Sequence, residues 1–234
     1  MSNPVAPPPS HRQSRLVMLG TLLVGIVATF SSFYTHSPTA PIAPSAVGSG
    51  AAIIQGQAYT GITNFSSSQP KDFTLTGTSG QPVSLSDFRG KFTIIYFGYI
   101  NCPDICQATM LNFKQIRQLL GEKADQVNLT FISVDPQRDT PQVIGDYIAK
   151  FDPAIIGLAG DLAVFDMIKN NYDLEFLQVP VEGSPSQTEY LISHTSDLFL
   201  VDKDGNLTAR YLTGIDPQST ATDLLQRIAN NSYQ

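Results

Sequence analysis

Charged residues are scarce in this chain of 234 residues, and those present are unevenly distributed. They make up 15% of the sequence, against about 25% in a typical soluble domain. Residues 16–70 contain no Lys, Arg, Asp or Glu. The formal net charge of the chain is −6, and the part after residue 70 holds 12 basic and 20 acidic residues, a net charge of −8. Because an acidic domain repels phosphate, no nucleic acid is expected as a partner.

Cysteine is rare as well, since the chain has two. Two cysteines are too few for a disulfide-dense scaffold. The sequence has no internal repeat, and its composition excludes collagen, a coiled coil and a membrane protein with several spans. Apolar residues make up 42% of the chain. That content and this length predict one globular domain with additional segments.

A single uncharged run near the N-terminus predicts a membrane anchor. Leu16 to Tyr34 read LVMLGTLLVGIVATFSSFY, which as a helix spans about 28 Å, close to the hydrocarbon thickness of a bilayer. Arg12 and Arg15 precede the run and no Lys or Arg follows it closely. The positive-inside rule therefore predicts a cytoplasmic segment 1–15, a single transmembrane helix 16–34 and an extracytoplasmic remainder.

A cleaved signal peptide is the alternative for this segment. The apolar core of a signal peptide is usually shorter, about 7–15 residues, and small-residue sites such as Pro44-Ser45-Ala46 lie far from the run. The short basic N-terminus lacks the Arg- and Ser-rich character of a mitochondrial presequence. We therefore expect a bacterial inner-membrane protein whose C-terminal domain is periplasmic.

Residues 35–70 are rich in Pro, Ala, Ser, Gly and Thr and show no periodicity, which predicts a flexible tether. His36 falls in this segment and is interpreted as a solvated linker residue. A globular domain is predicted for residues 71–234. Its strands and helices alternate in an order that indicates an α/β fold with a parallel core and a hairpin at one side. The strands are predicted at 92–99, 127–134, 155–158, 198–201 and 207–212, and the helices at about 105–120, 140–151, 161–170 and 216–229.

Both cysteines lie in one segment, Cys102-Pro-Asp-Ile-Cys106, directly after the predicted buried strand. Ligands of α/β sheets bind at the carboxyl ends of strands, so this is a site position. A four-residue spacing on a helix predicts both thiols on one face, about 5–6 Å apart at Cβ, which suits a metal or a disulfide. A helix N-terminus also favours the thiolate, and Pro103 suits a first helical turn. Asp104 is interpreted as a cap or dipole partner.

The predicted domain contains one histidine, His194, just before a predicted strand. A lone histidine is usually structural or exposed, but two thiolates with one imidazole form a recognisable soft ligand set. Such a set suits three-coordinate Cu(I) and can also hold Cu(II). Zinc would need a fourth ligand in a structural site or would leave an open position for catalysis. A plain disulfide is the structural alternative, although a bridge across so short a loop removes little chain entropy.

Together these segments resemble the Sco/SenC family. The resemblance is carried by YFGYINCPDIC, by ISVDPQRDTP and by His194 ahead of LFLVDKDG, and SLSDFRGKF and FDPAIIGLAG fit as well. It covers about residues 73–212 and extends to the anchor and the tether. The resemblance implies a thioredoxin-like fold, which has a mixed central sheet flanked by helices, with one N-terminal membrane anchor.

The resemblance also implies a function and a site. Members of the family bind one copper ion, deliver copper to the CuA centre of cytochrome c oxidase, and in some cases are proposed to be thiol-disulfide reductases. By this resemblance Cys102, Cys106 and His194 would bind the copper as Cu(I) or Cu(II). The implied partners are the oxidase subunit that carries CuA, other copper chaperones and thioredoxin-like reductants. Asp135, Arg138 and Asp139 match a family segment and are interpreted as structural or partner-facing residues, not ligands.

Two positions depart from the family pattern. Gln107 stands where many members have Pro, and Ser193 stands where many have an acid before the histidine. A carboxylate at that second position would orient the imidazole and raise its basicity. Residues 194–198 contain no Pro, whereas thioredoxins usually carry a cis-Pro at the corresponding place, and this absence fits a site remodelled towards metal.

Other functions remain open from the sequence. In a membrane-tethered thiol-disulfide reductase the same two thiols would act, with Cys102 favoured as the nucleophile because it lies nearer the helix start. The usual redox motif is CxxC, so the CxxxC spacing disfavours this reading. A peroxiredoxin-type peroxidase generally has Thr or Ser three residues before its reactive cysteine, where this chain has Tyr99. A purely structural or binding module is the last alternative.

Overall fold

The structure is a computed structural model of the chain. It describes residues 53–54, 57–58, 61–183 and 189–231. The predicted cytoplasmic segment 1–15, the predicted membrane helix 16–34 and His36 lie outside the described residues. In the part of the chain that is described, no helix combines the length and the apolar content needed to cross a bilayer.

Strands and helices alternate along most of the described chain. The strands are β1 Ile53–Ile54, β2 Gln57–Ala58, β3 Ile62–Ser68, β4 Thr74–Gly77, β5 Pro82–Ser84, β6 Phe92–Gly98, β7 Val127–Ser133, β8 Ile156–Ala159, β9 Phe176–Pro180, β10 Tyr190–His194, β11 Leu198–Val201 and β12 Leu207–Tyr211. The α-helices are α1 Ile105–Leu120, α2 Pro141–Ile148, α3 Leu162–Tyr172 and α4 Pro217–Asn231, and short 3-10 helices cover Leu85–Phe88 and Gly121–Gln126.

Within the described residues, the central sheet has eight strands in the order β3-β12-β11-β6-β7-β8-β4-β5. Strands β6, β7 and β8 are parallel, and β11 and β12 continue the sheet as an antiparallel hairpin beside β6. This arrangement agrees with the predicted parallel core and lateral hairpin. Strand β6 is buried at every position, as its β-branched and aromatic sequence predicts for a central strand.

Local sequence signals mark several helix ends as predicted. Thr140 caps α2 through a hydrogen bond from the Val143 amide to its side chain, with Pro141 at the first position. Asp161 caps α3 by accepting from the Ala163 amide at 2.8 Å. Helix α1 ends at Leu120 and is capped by Gly121, whose φ of 53° lies in the left-handed region that glycine adopts without strain.

The folded region begins earlier than the sequence predicted. Within the segment that the composition placed in the tether, β1 and β2 pair antiparallel with each other, and residues 62–68 form the edge strand β3, which pairs antiparallel with β12. The strand was missed because ITNFSSS has little apolar alternation. Its backbone hydrogen bonds are supplied by a partner about 140 residues away along the chain, and no local pattern records that pairing.

A second difference concerns the segment before His194. The sequence predicts no strand between residues 170 and 198. The structure has an antiparallel pair, β9 and β10, which forms a separate two-stranded sheet. Residues 184–188 lie outside the described part of the chain. His194 is therefore the last residue of a strand and not part of a loop.

Candidate metal centre

Three chemistry-bearing side chains converge at the C-terminal end of β6. Cys102 lies in the turn after this strand, Cys106 is the second residue of α1, and His194 ends β10. Their potential ligand atoms, two Sγ atoms and an imidazole nitrogen, all lie within 4.8 Å of one another. Cys106 Sγ is 3.7 Å from His194 Nε2, although the two residues are 88 positions apart. The structure thus brings together the three residues that the sequence singled out.

The two cysteines do not share a helix, contrary to the sequence prediction. Helix α1 begins at Ile105, so Cys102 and Pro103 precede it in a turn closed by the Cys102 amide and the Tyr99 carbonyl, 3.4 Å apart. Asp104 occupies the N-cap position, but its side chain makes no capping hydrogen bond. The chain changes direction here, from the buried strand into the helix. This turn, and not helical periodicity, brings the two thiols close together.

Cys106 is the most enclosed of the three residues. It has no solvent exposure, and the Tyr96 hydroxyl donates a hydrogen bond to its Sγ at 3.2 Å. Burial raises the pKa of the Cys106 thiol to about 12, and the Tyr96 hydrogen bond opposes that rise. For this cysteine, burial therefore acts against the thiolate that the helix N-terminus was expected to favour, because desolvation penalises the charged form.

The imidazole of His194 is oriented by the backbone. His194 Nδ1 lies 3.1 Å from the Thr195 carbonyl oxygen. Because a carbonyl oxygen only accepts, this hydrogen bond requires the proton on Nδ1 and leaves the Nε2 lone pair directed towards Cys106. Burial lowers the pKa of His194, so the ring is neutral at pH 7 and able to bind metal. The Thr195 carbonyl thus provides the orientation that the acid missing at Ser193 would have supplied.

Gly98 permits the close approach between β6 and Cys106. A Cβ at this position would lie 3.1 Å from Cys106 Sγ and 2.6 Å from an atom of the Tyr96 ring. Tyr96 and Gly98 are two positions apart on the strand, so both face the side on which Cys106 lies. Neither residue was singled out from the sequence, although both lie on the strand that leads directly into the cysteine motif.

The donor set fits a soft metal ion in a three-coordinate site. Two sulfur atoms and one imidazole nitrogen match the preference of Cu(I). In the described residues, no further His, Cys, Asp or Glu joins this group, so the fourth ligand of a structural zinc site is not found among them.

Both cysteines are free thiols, and the disulfide that the sequence offered as an alternative is not formed in this structure. An open cavity of about 530 Å³, lined in part by Ser193, His194 and Thr195, gives access to the histidine side.

The residues of the DPQRDT segment lie outside the metal-binding group. Asp135 and Asp139 are buried, which excludes a partner-facing role for these carboxylates and leaves the structural one. Asp139 Oδ2 accepts from the Ser133 hydroxyl at 2.7 Å and from the Ile100 amide at 3.0 Å. Arg138 is partly exposed and pairs with Asp135 at 2.6 Å.

A family model described as SCO1/SenC matches residues 63–230, more than half of the chain and including all three clustered residues. The chain belongs to the SCO1/SenC family. The membership expected from the cysteine motif, the DPQRDT segment and His194 is thereby confirmed.

Individual Sco proteins extend this finding. The mitochondrial protein SCO2 of Saccharomyces cerevisiae is 34% identical over 157 residues, which are 67% of this chain and 52% of that relative, so the chain spans about half of its length. The structure of Bradyrhizobium japonicum ScoI with copper bound is 34% identical, with a TM-score of 0.62 over 68% of this chain and 99% of that one.

A more distant neighbour, BsSco, is 20% identical, with a TM-score of 0.54 over 69% of this chain and 94% of that one. It is described as a member of the Sco family of cytochrome c oxidase assembly proteins, with a disulfide switch. These neighbours confirm the mixed α/β, thioredoxin-like Sco fold of the chain.

Proposed function

We propose that this protein is a copper chaperone that binds one copper ion through Cys102, Cys106 and His194. The observation that carries the proposal is the convergence of these three ligand atoms within 4.8 Å. Bound copper in the Bradyrhizobium japonicum relative supports it. The copper is cargo: it enters when both thiols are reduced and deprotonated, and it leaves by ligand exchange with the thiols of an acceptor.

The proposed destination is the CuA centre of cytochrome c oxidase, and the proposed acceptor is the oxidase subunit that carries this centre. Support comes from membership of the SCO1/SenC family and from the assembly role stated for BsSco. Other copper chaperones and thioredoxin-like reductants are the proposed upstream partners, because they would supply the metal and keep both thiols reduced.

We further propose that residues 16–34 anchor the protein in a bacterial inner membrane, with residues 1–15 in the cytoplasm and the copper domain in the periplasm. The uncharged run and its flanking arginines support this arrangement. Residues 35–52 would form the tether, since the structure has an antiparallel strand pair from Ile53. A flexible linker of that length spans roughly 20–25 Å, which would let the domain reach an acceptor in the same membrane.

Copper titration of the reduced full chain in detergent tests the proposal. The expected result is one Cu(I) ion per chain, held against a competing chelator, and weaker binding by the His194→Ala variant. Replacing His36 with Ala provides the matched control, because the proposal gives this tether histidine no role. No stable copper in the parent, or equal affinity in the parent and His194→Ala, would contradict the ligand assignment.

A thiol-disulfide reductase is the second candidate, because Cys102 and Cys106 are free thiols with sulfur atoms within 4.8 Å. In that reaction a Cys102 thiolate would attack a partner disulfide. Cys106 would then release the partner as two thiols and leave a Cys102–Cys106 disulfide, which a thioredoxin-like reductant would reduce. The His194→Ala variant distinguishes the two functions. It should reduce disulfides at the parental rate but bind copper more weakly than the parent.

A further inference from the structure

Three side chains form a closed cluster at the start of β10, here named the Asp135 cluster: Asp135, Arg138 and Tyr190. Arg138 Nε donates to Asp135 Oδ2 at 2.6 Å, and the Tyr190 hydroxyl donates to Asp135 Oδ1 at 2.6 Å. The Arg138 guanidinium lies over the Tyr190 ring, 3.6 Å from its centre. Its Nη1 atom also donates to the Tyr190 carbonyl oxygen at 3.0 Å, across 52 positions of the chain.

Strand β10 depends on such contacts for its position. In the described part of the chain it pairs with β9 and not with the eight-stranded sheet, so the hydrogen-bond ladder of the central sheet does not fix it relative to the cysteines. Tyr190 and His194 are the two ends of this strand, about 13 Å apart at 3.3 Å per residue. A second contact joins the backbone of Ile192 to the Tyr99 side chain.

Residues 135–139, which form the loop after β7, also contact the segment that carries the cysteines. Asp139 Oδ2 accepts a hydrogen bond from the backbone amide of Ile100, two residues before Cys102. The Asp139 carboxylate is itself fixed by the Ser133 hydroxyl at the end of β7. Residues 135–139 therefore connect to both segments that carry the clustered donors, through Arg138 and Asp135 on one side and through Asp139 on the other.

We propose that residues 135–139 are a positioning device that fixes His194 and the cysteine turn in the metal-binding arrangement before the metal arrives. Arg138 and Tyr190 are positioning residues in this scheme, because they touch none of the three donor atoms. A preorganised site loses less conformational freedom on binding and therefore binds more tightly. The inference rests on the proposed copper function and deepens it by naming what sets the affinity of the site.

The chain offers a closely matched control elsewhere, the Asp223 cluster of Asp223, Arg227 and Tyr211. Arg227 Nε and the Tyr211 hydroxyl each lie 2.6 Å from Asp223 Oδ2. The Arg227 and Arg138 side chains are equally exposed, at 22%. Tyr211 ends β12 and the other two residues lie on α4. Tyr190→Phe and Tyr211→Phe therefore each remove one hydroxyl from an Arg–Asp–Tyr cluster.

The first measurement is Cu(I) affinity by chelator competition, on the full chain in detergent with both thiols reduced. We expect Tyr190→Phe to bind Cu(I) about tenfold more weakly than the parent, the lower end of the range for residues that support metal ligands. Tyr211→Phe should match the parent. Arg138→Gln and Arg227→Gln form a second pair with the same expected contrast. If Tyr190→Phe and Tyr211→Phe both retain the parental affinity, the positioning role is overturned.

The second measurement needs no metal. Amide hydrogen exchange of residues 191–194 and the NMR signals of the His194 ring are compared in the metal-free parent and both tyrosine variants. Tyr190→Phe should accelerate exchange at these amides and broaden the ring signals, and Tyr211→Phe should not. A parent chain that binds no copper would remove the proposed function, while these signals would still decide the positioning role. Unchanged exchange in Tyr190→Phe would overturn it.

Discussion

At the scale of single residues, the environment of Cys106 governs how the centre works. Its thiol is buried without exposure, and burial raises its pKa to about 12, so the metal-free site holds a neutral thiol at physiological pH. The Tyr96 hydroxyl donates to the sulfur and favours the thiolate. A metal ion entering this site must therefore displace a proton from Cys106, and Tyr96 lowers the free-energy cost of that step.

Tyr96→Phe should weaken Cu(I) binding by about tenfold. A hydrogen bond to a charged group contributes about 1.5–3 kcal/mol, and about 1.4 kcal/mol corresponds to a tenfold change in affinity. The measurement is chelator competition with the reduced protein. Tyr172→Phe is the control, because its hydroxyl is buried and, within the described residues, has no hydrogen-bond partner. A Tyr96→Phe variant that binds copper as tightly as Tyr172→Phe would argue against a role for the Tyr96 hydrogen bond.

At the scale of secondary-structure elements, the site depends on how β6, α1 and β10 meet. Strand β6 is buried at every position and parallel to β7, so its C-terminal end is rigidly placed. The turn at residues 99–104 then presents Cys102 before α1 presents Cys106. His194 is supplied by a hairpin outside the central sheet, which is why its position relies on side-chain contacts.

The edge strand β3 supports the opposite side of the fold. Its first residue, Ile62, is buried, and Asn64 Oδ1 accepts from Arg227 Nη2 at 2.6 Å. A chain that begins at residue 71 loses this strand and leaves the edge of β12 unpaired. Compared with a chain that begins at residue 50, it should be less stable by about 3 kcal/mol or more, from the burial of Ile62 and the charged hydrogen bond.

Urea unfolding of these two metal-free chains measures the difference, with the cysteines reduced. The shorter chain should unfold at a lower urea concentration and tend to associate through its exposed strand edge. Equal unfolding midpoints would mean that the sequence-based boundary at residue 71 was the correct start of the folded unit.

At the scale of the whole molecule, pH should act in opposite directions on the metal-free fold and on metal binding. The Cys106 pKa is raised in the folded state, to about 12 from an ordinary value of 9.0. Its contribution to stability is therefore fully present below about pH 9 and is lost as the pH rises towards 12. Copper binding releases the same proton, so the affinity should rise about tenfold per pH unit for each thiol proton released.

Two titrations check this prediction. Unfolding of the reduced metal-free protein between pH 8 and 10 should show stability falling with pH, and the slope should be shallower in Cys106→Ala. The buried tyrosines, whose pKa values are also raised above 10.0, contribute to the same fall, so the difference in slope between the parent and Cys106→Ala isolates the contribution of Cys106. Cu(I) competition at pH 6, 7 and 8 should give increasing affinity. An affinity independent of pH would contradict the burial of a protonated thiol in the metal-free site.

The sequence alone determined the type of fold and the residues of the candidate site. Periodicity and cap signals were sufficient to predict β6, α1, the Thr140 cap and the Asp161 cap, because each of these features depends on residues within a few positions in the sequence. The three candidate donors stood out because the chain has two cysteines and, after residue 70, one histidine. Because the sequence contains so few cysteines and histidines, few other combinations of residues could form a soft metal site.

The tertiary structure alone decided how those residues are arranged and held. The pairing of β3 with β12, the hairpin that carries His194, the Tyr96 hydrogen bond to Cys106 and the Asp135 cluster each join residues that are distant in the chain. The separation is 10 positions for Tyr96 and Cys106 and 149 positions for Ile62 and Tyr211. Burial opposes the expected stabilisation of the Cys106 thiolate, because desolvation depends on packing from every side. Hydrogen-bond partners, strand register and local dielectric belong to the folded molecule, and no short segment of the sequence encodes them.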